Sequence, residues 1–223
     1  MTDEDRSEAI ASTAGAPLRA YVALRENGRR LASAWGPGAT ALDAVLAATG
    51  SARDGLSPAE VERATALEVC VAHSFRPVPP ARFRRELAHT HRGIRGIALR
   101  TEDVEVLYGP TEMLARNLRF ERAIERFLDE QGLDQGALES EVAVETFEAT
   151  QYVMRSRPEA HLAQVYRGSR LVAPEEVSRD STARLAAGLK DWLFRNVHPD
   201  GRMTYKYWPS RGEESSANNM LAP

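Results

Sequence analysis

The chain has 223 residues, 43% of them hydrophobic and 27% charged, with a formal net charge of −3 and one cysteine. This is ordinary globular composition, long enough for one large domain or for one domain and part of another, and no apolar run approaches the roughly 18 residues that cross a bilayer. The mildly acidic balance argues against a general nucleic-acid binder while leaving room for a local basic patch; the lone Cys70 excludes an internal disulfide framework and a multi-cysteine zinc site.

Residues 1–16, MTDEDRSEAIASTAGA, are acidic and polar and lack both the basic start and the apolar core of a signal peptide. They are expected to be a flexible leader on a cytoplasmic protein. Pro17 to Leu24 and Arg29 to Trp35 read as two strands around Glu26-Asn27-Gly28, because Asn-Gly supplies the two positive φ angles of a tight hairpin turn. Gly36-Pro37-Gly38 is expected to break that ladder. Thr40 then caps a helix to about Thr49, with Leu42, Val45 and Leu46 on its buried face. Ser57 and Glu60 stand at capping-box spacing and start a short second helix. Ala66 to Phe75 is mostly apolar and reads as a central strand covered on both faces.

Between Arg76 and His91 the chain changes character. Pro77, Pro79 and Pro80 oppose a regular element, and Arg82, Arg84 and Arg85 follow at once. Gly93 to Arg100 and Val104 to Tyr108 form a second predicted hairpin around Thr101-Glu102-Asp103. From Tyr108 to Gly132 runs the longest helix signal in the chain. Met113, Leu114, Leu118, Ala123, Ile124, Phe127 and Leu128 share one face, while charges including Glu112, Arg116, Glu125, Arg126 and Glu130 cover the rest. Gly109-Pro110-Thr111 marks its start and Gly132 its stop. A helical turn follows at Asp134 to Leu138, and Val142 to Met154 alternates like a long strand. Ser156 to Pro158 interrupts the strand, and His161 to Leu171 is read as its continuation.

At Ser178 a second amphipathic helix begins, capped by Ser178 or Ser181 and carrying Leu185, Ala186, Leu189, Trp192, Leu193 and Val197 on one face. His198-Pro199-Asp200-Gly201 ends it with a turn. Met203 to Trp208 reads as a short aromatic extended piece, and Ser215 to Asn219 as the start of a further helix.

The residues that could carry chemistry are few. Arg82, Arg84, Arg85, Arg92 and Arg95, with His91, form the most concentrated positive charge and are the candidate ligand site, suited to a small phosphate- or carboxylate-bearing ligand. The competing reading is a solvated loop with neighbouring acids. His89 and His91 flank Thr90, but two ligands do not make a metal site and no metal is expected. His73 is read as a hydrogen-bonded core histidine and Cys70 as a small buried hydrophobe. Glu141, Glu145 and Glu148 do not read as an acid/base pair; Glu141 and Glu145 alternate outward on a strand as a solvent-facing stripe. No phosphate loop, Walker pattern or Ser-His-Asp order is present, and neither catalytic residues nor a cofactor are expected.

The order hairpin, helix, central strand, second hairpin, long helix and closing strand resembles the AMMECR-type domain, named for the AMME-syndrome candidate-region protein. The resemblance spans about residues 17–154 and rests on PLRAYVALRENGR, ATALDAVLAA, SPAEVERATALEVCV and HRGIRGIAL. It implies an α+β fold with a mainly antiparallel curved sheet and packed helices. The family's signature hexapeptide, Leu-Arg-Gly-Cys-Ile-Gly, would fall on the second strand of the first hairpin, where this chain reads Leu31-Ala32-Ser33-Ala34-Trp35-Gly36. Alanine stands at the cysteine position, so thiol chemistry proposed for the family has no nucleophile here. From Val177 onward, the helix followed by DGRMTYKYWPSRGEESSANNM is similar to the first hairpin of α/α-toroid proteins, many of them sugar-processing enzymes. That similarity implies that Asp200, Arg202, Tyr205, Tyr207 and Asn219 line a toroid mouth if the toroid exists.

These readings give an α+β domain at 17–154, a linker or strand at 155–176, and a truncated start of a toroid at 177–223, ending in an α-helical hairpin fragment. Two functions stay open. One is a non-catalytic ligand-binding or docking module of a larger protein. The other is the N-terminal part of a sugar- or cell-envelope-processing enzyme whose chemistry lies in a missing toroid. Expected partners are a small anionic ligand, the toroid domain or a second copy of the chain, with no nucleic acid and no membrane.

Overall fold

The computed structural model describes residues 18–155, 162–201, 203, 206–208 and 213–215. The leader at 1–16, the interruption at Ser156 to Pro158, and most of the Ser215 to Asn219 stretch lie outside them. The chain is α+β: a mainly antiparallel, strongly curved sheet with helices packed on it, and a further helix towards the C-terminus.

Strands β1 (Leu18–Glu26) and β2 (Arg29–Gly38) form the first hairpin. Asn27 and Gly28 hold φ of 50° and 88°, the left-handed values that the two-residue turn requires. Gly36-Pro37-Gly38 does not break the ladder as expected; it pairs with Ala20, Arg19 and Leu18. Proline is tolerated there because β2 is the sheet edge, where no further strand needs its missing N–H. The two glycines serve packing. A Cβ on Gly36 would lie 2.3 Å from the Ala48 amide nitrogen, and one on Gly38 2.2 Å from that of Ala44.

Those alanines belong to α1 (Ala41–Arg53), capped by Thr40 and Asp43 in a reciprocal box. The helix continues past Thr49, and its buried face is Ala44, Ala48 and Ala52. Leu42 and Leu46 are 66% and 60% exposed, against expectation. The glycine strand lets the backbones come so close that only alanine fits between them. The leucines are therefore turned outward.

After α2 (Pro58–Glu62), with its Ser57–Glu60 capping box, β3 (Ala66–Pro77) runs between β1 and β6 as the central strand. The proline-arginine stretch folds into short turns: a 3-10 turn at Pro80–Arg82, the single-turn α3 (Phe83–Glu86) and a 3-10 turn at His89–His91. β4 (Arg95–Arg100) and β5 (Glu105–Tyr108) form the second hairpin.

The long helix signal resolves into two pieces, α4 (Pro110–Ala115) and α5 (Phe120–Gln131). Asn117 at φ 50° turns the chain between them, and the Leu118 amide donates back to the Met113 carbonyl at 2.8 Å. Leu118 stays buried through the break, so the apolar pattern runs on although the helix does not. Gly132 ends α5 in the left-handed conformation, as the sequence predicts. Glu112, expected among the solvent-facing charges, is instead buried on α4.

A 3-10 turn at Gln135–Glu139, capped by Asp134, leads into the 13-residue β6 (Ala143–Arg155). One side of β6 pairs with β3 along its length; the other pairs with β4 in its first half and with β7 (Leu162–Tyr166) in its second. β8 (Ser169–Arg170) turns back on β7 through Arg167-Gly168, both at positive φ. Ile97, Leu99, Tyr108 and Val144 face α5 and make the main core with Phe120, Ile124, Phe127 and Leu128. Their alternating neighbours Ala98, Leu107 and Phe147 join Trp35, Tyr21 and Cys70 on the opposite face.

Ser178 caps α6 (Arg179–Arg195), again with Ser181 in the box. Its apolar side chains are all exposed. Val197 bridges to Met203, and β9 (Lys206–Trp208) pairs with β10 (Glu213–Ser215), so Ser215 closes a strand where a helix start was expected. Asp200 is described and exposed, whereas Arg202, Tyr205 and Asn219 lie outside the described residues. No helix among the described residues is long and apolar enough to cross a membrane.

Candidate anion-binding site

Three segments meet around Leu114 of α4. A Cβ on Gly93 would come within 2.5 Å of Leu114 Cδ1, and one on Gly168 within 3.5 Å of the same atom. Gly93 thus brings in the end of the proline-arginine stretch, and Gly168 the β7–β8 turn. Between these and the α4–α5 junction opens a cavity of about 610 Å³ lined by Arg84, Arg92, Arg119, Arg167, His89 and Glu121, with Ala88 and Leu114.

Among the described residues, four guanidinium groups and one carboxylate therefore line the cavity. Arg92 donates from Nη1 to Asn117 Oδ1 at 3.1 Å, which steadies it against the residue that turns the chain between α4 and α5. The side chains of Arg84, Arg119 and Arg167 enter no ion pair among the described residues. Arg119 is the N-cap residue of α5 and gives no side-chain cap, so its guanidinium comes to the site from the positive end of that helix.

The arginine series expected from the sequence is divided. Arg84 and Arg92 line the cavity; Arg82, Arg85, Arg95 and His91 do not. Arg95 donates to Glu86 at 3.2 Å and Arg85 approaches the same carboxylate at 3.5 Å, the neutralised-loop alternative. His91 Nδ1 lies 3.0 Å from the Glu86 carbonyl, while His89 lines the cavity, so the two histidines have separate roles. Arg119 and Arg167 went unmarked in the sequence because they lie far along the chain from the arginines at 82–95, at the α4–α5 junction and in the β7–β8 turn. Only the fold gathers them.

A second cavity of about 580 Å³ lies between β1 and the β4–β5 turn, and it also holds arginines. There Arg19 pairs with Glu105 at 3.0 Å, and Arg100 pairs with Glu105 at 3.3 Å and Glu145 at 2.6 Å. Its charge is internally satisfied, so it offers an anion little. His73 lies at its wall, with Nδ1 3.1 Å from Ser74 Oγ and Nε2 3.3 Å from Thr150 Oγ1. Burial lowers its pKa and Glu148 opposes the shift, which keeps the ring neutral near pH 7.

The most deeply buried polar groups lie elsewhere. Glu112 accepts from Arg116 at 3.0 Å and from the Gly109 amide at 3.3 Å, with Arg30 at 3.7 Å. Burial raises its pKa, and Arg116 offsets part of that. Glu68 takes two hydrogen bonds on one oxygen from Arg25, at 3.0 and 2.8 Å. Burial, then Glu112 and Glu68, pushes the Tyr21 hydroxyl up to about 12. Burial followed by the same two carboxylates raises the Cys70 thiol well above its usual range. Cys70 is thus a protonated thiol with Gly109 packed over it, a small hydrophobe as the sequence implied.

No protein-family model matches the chain, and no curated protein matches it significantly. Among solved structures it is similar to an uncharacterised protein of Pyrococcus horikoshii, at 14% identity and a TM-score of 0.48, over 68% of this chain and 79% of that one.

Proposed function

We propose that the sheet and its packed helices form a non-catalytic, AMMECR-like module that binds a small anionic ligand in the arginine cavity. The observation that carries this reading is the convergence of Arg84, Arg92, Arg119 and Arg167 on one concavity where, among the described residues, Glu121 is the single carboxylate. Like charges held together repel, and an anion entering between them relieves that repulsion. Guanidinium groups suit phosphate and carboxylate because their planar N–H forks match the oxygen spacing. The Arg92–Asn117 hydrogen bond fixes one of the four in advance, which lowers the ordering cost of binding.

Titration calorimetry with inorganic phosphate at low salt tests this. Binding is expected, weakened about tenfold by Arg119→Ala, the cost of one hydrogen bond to a charged group. It also weakens as sodium chloride screens the site. Arg82→Ala, outside the cavity, should leave it unchanged. Absence of phosphate binding, or equal losses in both variants, overturns the reading.

A further inference from the structure

Resting on the anion reading of the same cavity, we infer that the ligand is amphiphilic: a phosphate or carboxylate carried on an apolar body, which lies in an adjoining groove along α5. The groove has a volume of about 380 Å³ and is lined by Phe83, Leu87, Ile124 and Leu138, with Arg84 and Glu121 shared between it and the arginine cavity. The two spaces are therefore neighbours across a common wall and not separate features.

The local geometry explains the division of labour. On the single turn of α3, consecutive residues diverge by about 100°. Phe83 lines only the groove while Arg84 reaches both spaces. On α5, Arg119 and Glu121 line the cavity, and Glu121, Ile124 and Glu125 line the groove. Passing from Glu121 to Ile124 or Glu125 is about one helical turn, or roughly 5 Å. The floor of the groove is the outer surface of the main core, since Leu87, Ile124 and Leu138 all belong to it and Phe83 packs against it.

Charge fixes the direction in which such a ligand lies. Arg92, Arg119 and Arg167 are confined to the cavity, whereas Glu125 stands only on the groove side. An anionic head is attracted to the three arginines; Glu125 is already paired with Arg122 at 2.9 Å and offers the head no donor on the groove side. The apolar body gains by covering Phe83 and the core edge, and only a molecule with both parts uses both spaces.

The test compares inorganic phosphate, 1-naphthyl phosphate and 1-naphthol on the full chain by calorimetry. 1-Naphthyl phosphate is expected to bind about tenfold or more tighter than inorganic phosphate, from burial of its ring, and 1-naphthol weakly. Phe83→Ala should reduce that preference to about threefold or less, with phosphate affinity unchanged, because only the apolar contact is lost. Should Phe83→Ala unfold the chain, Gln135→Trp serves instead: Gln135 is an exposed residue on the groove wall, and filling the groove there should have the same selective effect. Arg119→Ala should weaken both phosphates together. If phosphate binds but the naphthyl ester gains nothing, the amphiphile inference is overturned while the anion site stands. A preference that survives both groove variants overturns it equally. If neither phosphate binds, the anion reading has failed and this inference falls with it.

Discussion

On α5, Phe127 is 1% exposed and Leu128 2%; on α6, Trp192 is 53% exposed and Leu193 48%. Both helices carry an apolar stripe with helical spacing; α5 is stopped by Gly132 and α6 is started by the Ser178 box. α5 lies on Ile97, Leu99, Tyr108 and Val144 of the sheet, whereas α6 meets nothing among the described residues that covers its stripe. α1 stands between them. It is packed, but through Ala44, Ala48 and Ala52, with its leucines facing out. The comparison teaches that an amphipathic pattern states a need for burial and leaves the partner's shape to decide which residues meet it. A hydrophobic sheet face of Ile97, Leu99 and Val144 takes Phe127. A glycine strand takes only alanine.

The largest effect should come from removing the side chain that makes α5 a core helix. Phe127→Ala is expected to cost about 3–5 kcal/mol, from lost transfer energy and the cavity left behind. Urea denaturation measures it, with an unchanged m-value showing that the same surface unfolds. Against a total stability of about 5–15 kcal/mol, that is a severe loss. A cost below about 1 kcal/mol would mean that α5 is no better buried than a surface helix, and the contrast with α6 would disappear.

Gly36→Ala probes the intermediate case. The new Cβ would sit 2.3 Å from the Ala48 amide nitrogen and 2.8 Å from the Ala44 carbonyl oxygen, and backbone cannot swing aside as a flexible side chain can. Overpacking of about 1–3 kcal/mol is expected, read as a fall in the urea midpoint. Gly50→Ala, in the last turn of α1 with open space around the added carbon, is the matched control and should be neutral or slightly stabilising. Equal effects at the two glycines would show that close approach does not govern which face of α1 is buried.

How much of this was legible follows from what is local. The Asn27-Gly28 turn, the caps at Thr40 and Ser57, the Ser178–Ser181 start of α6 and the Gly132 stop depend on a few adjacent residues, so the sequence states them directly. The face of α1 was not legible, because hydrophobicity alone favours Leu42 and Leu46, and the decisive fact is a glycine strand packed beneath. The break at Asn117 was hidden because Leu118 keeps the apolar rhythm across it. For the site, Arg84 and Arg92 stood out by crowding with other arginines, yet crowding also drew in Arg85 and Arg95, which share Glu86. Arg119 and Arg167 become visible only when Gly93 and Gly168 close on Leu114. A cavity assembled from three segments leaves no spacing rule in the chain.

The smallest expected effect is the most informative about α6. Leu189 is an apolar residue of its stripe and is 55% exposed. Leu189→Ala should change the stability of the sheet by less than about 0.5 kcal/mol, since little surface is uncovered and alanine is an equally good helix former. Hydrogen exchange at the β3 and β6 amides isolates the sheet's own opening from any fraying of α6. The same experiment reports on α6 itself. A 17-residue helix with no tertiary support among the described residues is marginal in water even with a Ser178 capping box, so its amides should exchange far faster than those of α5. A loss above about 1 kcal/mol at β3 and β6 would mean that Leu189 is coupled to the sheet. The exposed stripe would then be a face that closes on the domain, and α6 would belong with α5 rather than opposite it.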